Sequence, residues 1–337
     1  MLNILFAGSP ECAVPSLEAV ARKHRIVAVL TNPAAPSGRS RVPVSTPVAL
    51  EAQRLKEEGI IPADCLILTP EKINDEVRQA IASVKPDIMA CFAYGKIFGP
   101  KTLALFPLGA VNLHPSLLPR WRGCAPVPAA ILARDSETGI TIQKMAIEMD
   151  AGDIIIQKKL PLDGSETAES LLERAAAEGA PLLVQALDLF EKGEVTGKTQ
   201  NSEESTYCTM LCKDDGKIDW AASASDIDAR IRAFTPWPGA FTNAGDEVLL
   251  ILKAKPYTGE VLPAPSAAPA TPDILTGGVN RKAKSGTVVG VDKKTGILVQ
   301  TGDGLLVLER LQWRTKKPLD WKSFLNGSHN FLERTLT

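Results

Sequence analysis

Val111-Asn112-Leu113-His114-Pro115-Ser116-Leu117-Leu118-Pro119-Arg120-Trp121-Arg122-Gly123 reads as the end of a buried strand running into a tight, Pro-punctuated loop. Period-two alternation puts Asn112 and His114 on one face of that strand. An amide and an imidazole two residues apart supply the tools of acyl transfer. The first donates to a developing oxyanion, and the second shuttles a proton near neutral pH. The same pair also occurs as an ordinary satisfied strand end, so the surrounding chain must decide between the two readings.

Outward from this stretch, strands and helices alternate as far as residue 194. Apolar β-rich runs fall at Asn3 to Ala7, Arg25 to Thr31, Cys65 to Leu68, Ile88 to Ala93, Gly109 to Leu113, Ile140 to Met145 and Ile154 to Leu160. Helical patterns lie between them at Cys12 to Lys23, Pro47 to Glu57, Asp75 to Ser83 and Thr167 to Leu189. Such alternation predicts an α/β fold with a doubly wound, mostly parallel sheet. Ligands of these sheets bind beyond the carboxyl ends of the strands, where Asn112, His114 and Tyr94 are expected. The first turn, Ala7-Gly8-Ser9-Pro10, lacks the three glycines of a dinucleotide site, and Pro10 removes an amide donor there. A nicotinamide oxidoreductase is thereby disfavoured.

A carboxylate follows in Glu148-Met149-Asp150-Ala151-Gly152-Asp153-Ile154, placed in a turn before an apolar strand. Asn112-x-His114, Ser116-Leu117-Leu118-Pro119, Arg122-Gly123 and Asp150-x-Gly152 stand in the order and spacing of the folate-dependent formyltransferase family, which the chain resembles. The likeness runs over nearly the whole chain. Leu2 to Pro10 resembles the opening strand and turn, and Ala93-Tyr94-Gly95 the mid-domain loop. Ile218-Asp219-Trp220, Arg232 to Pro238 and Thr301-Gly302-Asp303-Gly304 resemble second-domain signatures of the branch acting on a charged tRNA.

The resemblance implies a formyl donor, 10-formyltetrahydrofolate, and an acceptor, the α-amino group of methionine on initiator tRNA. It implies Asn112, His114 and Asp150 as catalytic residues. The first two would stabilise the oxyanion, His114 would also move a proton toward N10, and Asp150 would orient the imidazole or relay a proton through water. Ser116, Leu117, Leu118 and Pro119 would shape the donor pocket with Tyr94, Gly95, Lys96 and Ile97, Lys96 standing where relatives often carry another side chain. Arg39 and Arg41, in the long loop 32–48, and Lys213 would contact tRNA, while Met210 stands where a further Lys is common. Arginine suits that role because it pairs with phosphate and stacks on exposed bases.

Composition fits this reading without deciding it. The 337 residues are 45% apolar and carry a net charge of −1, enough for two cores with no global bias toward nucleic acid. The charge is uneven. Residues 1–206 hold 21 Lys+Arg against 25 Asp+Glu, residues 207–337 hold 17 against 14, and ten basic residues face four acidic ones between Arg281 and Lys322. A basic segment of this kind suits a salt-sensitive grip on polyphosphate or simply a solvated face. The polar run TQNSEEST, 199–206, marks a linker. The expected organisation is a catalytic domain over 1–194, a linker over 195–206 and a second domain over 207–337. In the second domain, short β-rich runs at Val248 to Leu252, Gly286 to Val291, Ile297 to Thr301 and Leu305 to Leu311 suggest a small barrel with one helix at Ala224 to Ala233. The resemblance makes that barrel OB-like. The run LPAPSAAPATP, 262–272, is expected to be a mobile loop.

No apolar run is long enough for a membrane span, and the N-terminus lacks the basic start of a signal peptide. The six cysteines lack paired Cys-x-x-Cys spacing, so reduced thiols in a cytoplasmic protein and no metal site are expected; the protein is also expected to be a monomer. Three rival functions remain open: formyl transfer to a small amine such as an amino-sugar nucleotide or glycinamide ribonucleotide, a catalytically inactive tRNA-binding relative, and folate-dependent hydrolysis.

Overall fold

The computed structural model describes residues 1–37, 42–259, 283–328, 330–332 and 334–337. The loop 262–272 therefore lies outside the described residues. The chain divides into two compact units, one formed by Met1–Val127, Ser136–Leu162 and Ser170–Thr209, the other by Pro128–Asp135, Asp163–Glu169 and Met210–Thr337.

The first part of the chain runs β1 Asn3–Gly8, α1 Val14–Ala21, β2 Arg25–Leu30, β3 Ala35–Ser37, β4 Val42–Val44, α2 Pro47–Glu57, β5 Leu66–Leu68, α3 Asp75–Ser83 and β6 Ile88–Phe92. It continues with α4 Pro100–Leu103, β7 Ala110–His114, β8 Arg122–Gly123, α5 Pro126–Leu132, β9 Glu137–Lys144, β10 Ile154–Pro161, α6 Ala168–Lys192 and β11 Tyr207–Cys208. Side chains set several boundaries. Thr46 accepts a hydrogen bond from the Ala49 amide and Pro47 follows it, so α2 starts there. Asn74 caps α3 in the same way through the Val77 amide. Each cap satisfies a backbone donor that a helix start leaves unpaired.

The large sheet has the order β10-β9-β7-β6-β1-β2-β5. β7, β6, β1, β2 and β5 are parallel, whereas at one edge β9 pairs antiparallel with β7, and β10 antiparallel with β9. The chain builds outward from β1 through β2 to β5, then returns to place β6 and β7 on the other side of β1. The crevice at that reversal, outside the carboxyl ends of β1 and β6, is where such folds hold ligands. β1 and β6 are buried along almost their whole length, which explains their unbroken apolar sequence.

Two local readings change. Cys12 to Lys23 opens with a 3₁₀ turn at Glu11–Ala13 before α1, because Pro15 favours the first helical turn and not the interior. Residues 195–206, expected as a linker, are tied into the first unit: Gln200 is buried, and β11 pairs in parallel with β8. Two polar side chains there reach inward: Gln200 donates to the carbonyls of Asp150 and Gly152, and Thr206 accepts from the Trp121 amide.

The second unit carries α7 Ala224–Ala233, β12 Phe241–Ala244, β13 Glu247–Pro256, β14 Val288–Asp292, β15 Gly296–Gln300, β16 Leu305–Trp313, β17 Leu319–Asp320 and α8 Trp321–Asn326. Its sheet is antiparallel, in the order β12-β13-β16-β15-β14, with β17 added to β16. Register shifts at Ile251 and Lys253 bend β13 against β16, giving the curl of a half-barrel. Inside the curl, Trp313, Phe324 and Phe331 pack with ring centroids 4.9 to 6.3 Å apart. Among the described residues no helix is long and apolar enough to cross a membrane.

Candidate active site

β7 presents the site. Leu113 turns toward α6, where a Cβ on Gly179 would lie 2.7 Å from Leu113 Cδ1. Close packing on that face leaves Asn112 and His114 on the other. His114 is 4% exposed. Its Nε2 lies 2.8 Å from the Trp121 carbonyl oxygen, and its Nδ1 lies 3.6 Å from Asp150 Oδ2. Both ring nitrogens thus face oxygen acceptors, and Nε2, the closer one, donates to Trp121. Asn112 is half-buried, and its side-chain amide makes no hydrogen bond among the described residues.

Asp150 reaches this face from the β9–β10 turn with φ +54°. Its Oδ2 accepts from the Gly123 amide at 2.9 Å and its Oδ1 from Gln143 Nε2 at 2.8 Å. A non-glycine residue at positive φ is costly and persists only where its surroundings hold it. Gly123 must be glycine for a separate reason: at φ +111° a Cβ would lie 2.2 Å from the Cys208 carbonyl oxygen. The structure therefore brings Asn112, His114 and Asp150 together.

The loop after β7 is held from behind. Thr141 Oγ1 donates to the Ser116 carbonyl at 2.7 Å and accepts from the Leu118 amide at 3.2 Å, while Gln157 Nε2 donates to the Leu118 carbonyl at 2.8 Å. Ser116 is fully buried and its hydroxyl is spent on the Arg120 carbonyl; Leu118 is buried as well. Leu117 and Pro119 are half-buried.

The Tyr94 ring lies in the core, stacked on Phe98 with centroids 5.2 Å apart. Burial pushes its hydroxyl up to about 12. Its carbonyl faces the site side, accepting from Asn32 Nδ2 at 2.9 Å and Ser9 Oγ at 3.5 Å. Gly95 turns the chain at φ +83°, Lys96 Nζ donates to the Pro70 carbonyl at 2.6 Å, and Ile97 is 80% exposed. Asn32 Oδ1 is buried with no hydrogen-bond partner among the described residues. Lys213 is exposed on a 3₁₀ turn of the second unit. Arg39 and Arg41 lie outside the described residues; β3 and β4, which flank them in sequence, pair as an antiparallel ribbon.

Sequence reasoning missed Gln143, Gln200 and the Trp121 carbonyl. Gln143 carried a signal: it is the one amide in the buried run Ile140-Thr141-Ile142-Gln143, on the same face as Thr141. Gln200 carried none, since its partners lie far away in the sequence.

Comparison with known proteins follows the same division. Residues 2–187 match the model for formyl transferase, and residues 210–329 the model for the formyl transferase C-terminal domain. These matches, on a doubly wound sheet followed by a half-barrel, define the class as a two-domain formyltransferase. Methionyl-tRNA formyltransferase of Treponema denticola is 48% identical over 98% of both chains, and the chain belongs to the methionyl-tRNA formyltransferase family. The structure of methionyl-tRNA formyltransferase from Clostridium thermocellum has a similar fold, with a TM-score of 0.54 and 19% identity over 77% of this chain and 96% of that one. So does an N-formyltransferase from Helicobacter canadensis, with a TM-score of 0.62 and 18% identity over 91% and 99%.

Proposed function

We infer that this protein transfers the formyl group of 10-formyltetrahydrofolate to the α-amino group of methionine on initiator tRNA. The observation that carries the chemistry is the convergence of Asn112, His114 and Asp150 at the carboxyl end of β7, with His114 Nδ1 3.6 Å from Asp150 Oδ2. The family relationship supplies donor and acceptor. In the reaction a C–N bond forms between the amine and the formyl carbon, the bond from that carbon to folate N10 breaks, and one proton passes from the amine to N10.

Asn112 donates to the oxygen that becomes negative, and the positively charged ring of His114 stabilises the same charge. Since Nε2 is held by the Trp121 carbonyl, Nδ1 is the nitrogen that exchanges a proton, and Asp150 beside it holds the ring or relays that proton. Donor binding is assigned to the segments Ser116 to Pro119 and Tyr94 to Ile97, in which Leu117 and Pro119 are half-buried and Ile97 is exposed. A flat heteroaromatic ring needs apolar walls with a few amide partners. The tRNA contacts are assigned to Arg39, Arg41 and Lys213, whose charges suit phosphate.

The test is transfer of labelled formyl to methionyl initiator tRNA, run beside free methionine, elongator tRNA and a small amine. Transfer to the initiator, reduced by about 10² to 10⁴ in kcat in His114→Ala and Asn112→Ala, is the expected result. Transfer confined to the small amine, or undiminished transfer by His114→Ala, overturns it.

A further inference from the structure

Gln200 lies in a polar stretch near the end of the first unit, yet it is 8% exposed and every hydrogen-bonding group of its side chain is used. Its Nε2 donates to the carbonyls of Asp150 at 2.8 Å and Gly152 at 2.7 Å. Its Oε1 accepts from Arg122 Nε at 3.0 Å and Nη2 at 2.9 Å. Arg122 is also buried, and its Nη1 reaches the Tyr207 hydroxyl at 3.0 Å, which in turn donates to Glu148.

This arrangement admits one orientation of the amide. Turned over, Oε1 would face two carbonyls and the NH₂ would face a guanidinium, so both contacts would be repulsive. The Arg122 fork thus fixes which end of Gln200 meets the catalytic turn. Asp150 stands between two such grips. Gln200 holds its backbone at positive φ, while Gln143 and the Gly123 amide hold the two oxygens of its carboxylate.

We propose that Gln200 is a positioning residue for the reaction: by clamping the carbonyls of Asp150 and Gly152 it sets where the Asp150 carboxylate stands relative to His114. The proposal rests on the assignment of His114 and Asp150 under Proposed function. A residue acting this way governs the rate of the chemical step and leaves substrate affinity untouched, because a small misplacement of a catalytic group is costly even when binding surfaces are intact.

Gln200→Glu separates positioning from a scaffold role. Its carboxylate keeps the pairing with Arg122 and so keeps the fold, but it has no protons to donate and faces the Asp150 and Gly152 carbonyls with negative charge. The expected result is a kcat lowered at least about tenfold, with KM for folate and for tRNA each within about twofold. The variant should remain folded, with a melting temperature lowered by the two lost hydrogen bonds, and the ¹⁵N signals of the His114 ring should shift. Gln200→Asn, one methylene too short to span both carbonyls, should move kcat and the ring signals in the same direction, and serves if the first variant does not fold. An unchanged kcat, or a lowered kcat with unchanged His114 signals, overturns the proposal. His114→Ala, measured in parallel, tells the two failures apart: retained transfer there refutes the catalytic assignment, whereas abolished transfer beside a fully active Gln200→Glu refutes only the positioning role.

Discussion

Gly152 packs its α-carbon directly against the backbone of Lys144, so that a Cβ there would stand 1.8 Å from the Lys144 carbonyl oxygen. Backbone cannot swing aside as the end of a side chain can, so the turn carrying Asp150 must move. Gly152→Ala should lower kcat by about 10²-fold, as expected for a catalytic group displaced by about 1 Å. It should also cost about 1–3 kcal/mol of stability from overpacking. Single-turnover transfer and urea denaturation of the variant check both figures; full activity would mean that the turn tolerates displacement.

The thiols should divide by burial. Cys124 and Cys212 are exposed, whereas burial pushes Cys12 and Cys65 up to about 11 and Cys91 up to about 12. Cys208 is also raised by burial. A thiol reacts as its thiolate, so an aromatic disulfide reagent near pH 8 should label Cys124 and Cys212 first in the native protein and all six only after unfolding. Peptide mapping of the labelled protein decides the matter.

His24 should give stability a histidine-range pH dependence. Burial, the largest influence, holds its ring below the ordinary imidazole range, and the N-terminal amine of Met1 adds to this, while Asp188 and Glu191 pull the other way. With the folded value depressed, the unfolded chain binds the extra proton first. The contribution is then fully present above about pH 6.5 and is lost as pH falls through the folded value. Between pH 7.5 and 5.5 the wild type should lose more stability than His24→Gln; parallel curves would show that other groups carry the effect.

In the second unit Trp220 Nε1 donates to Thr242 Oγ1 at 2.9 Å, and both residues are buried. Thr242→Val keeps the shape but removes the acceptor, leaving a buried N–H unpaired. A loss of about 1–3 kcal/mol is expected, read from the shift of the denaturation midpoint. A change below about 0.5 kcal/mol would mean the indole finds another partner.

The parts of the fold that the sequence made plain are those with local causes. Pro47–Glu57, Asp75–Ser83 and Ala224–Ala233 start where expected because Thr46, Asn74 and Ser223 each cap the first turn of the helix that follows. Asn112, His114 and Asp150 were found because two of them share a strand face and the third sits in a glycine turn. Gln143 and Gln200 stayed hidden because their importance lies in pairings with residues remote along the chain, and two-residue strands such as β8 and β11 have no periodicity to detect. Tyr94 shows the converse. Its place in the loop that the family resemblance assigns to the donor pocket says nothing of its side chain, whose ring fills the core while its carbonyl accepts from Asn32 and Ser9, just past the ends of β2 and β1.

On the positioning role proposed for Gln200, the parallel pairing of Tyr207 and Cys208 with Arg122 and Gly123 also bears on when the chain becomes competent. As the polypeptide leaves the ribosome, Asn112, His114 and Asp150 emerge well before Gln200 and the strand after it. A chain halted at 194, the natural place to cut by sequence alone, would carry Asn112, His114 and Asp150 without the residue proposed to align them. A recombinant fragment, or a gene fusion that borrows this chemistry, should therefore extend past Cys208.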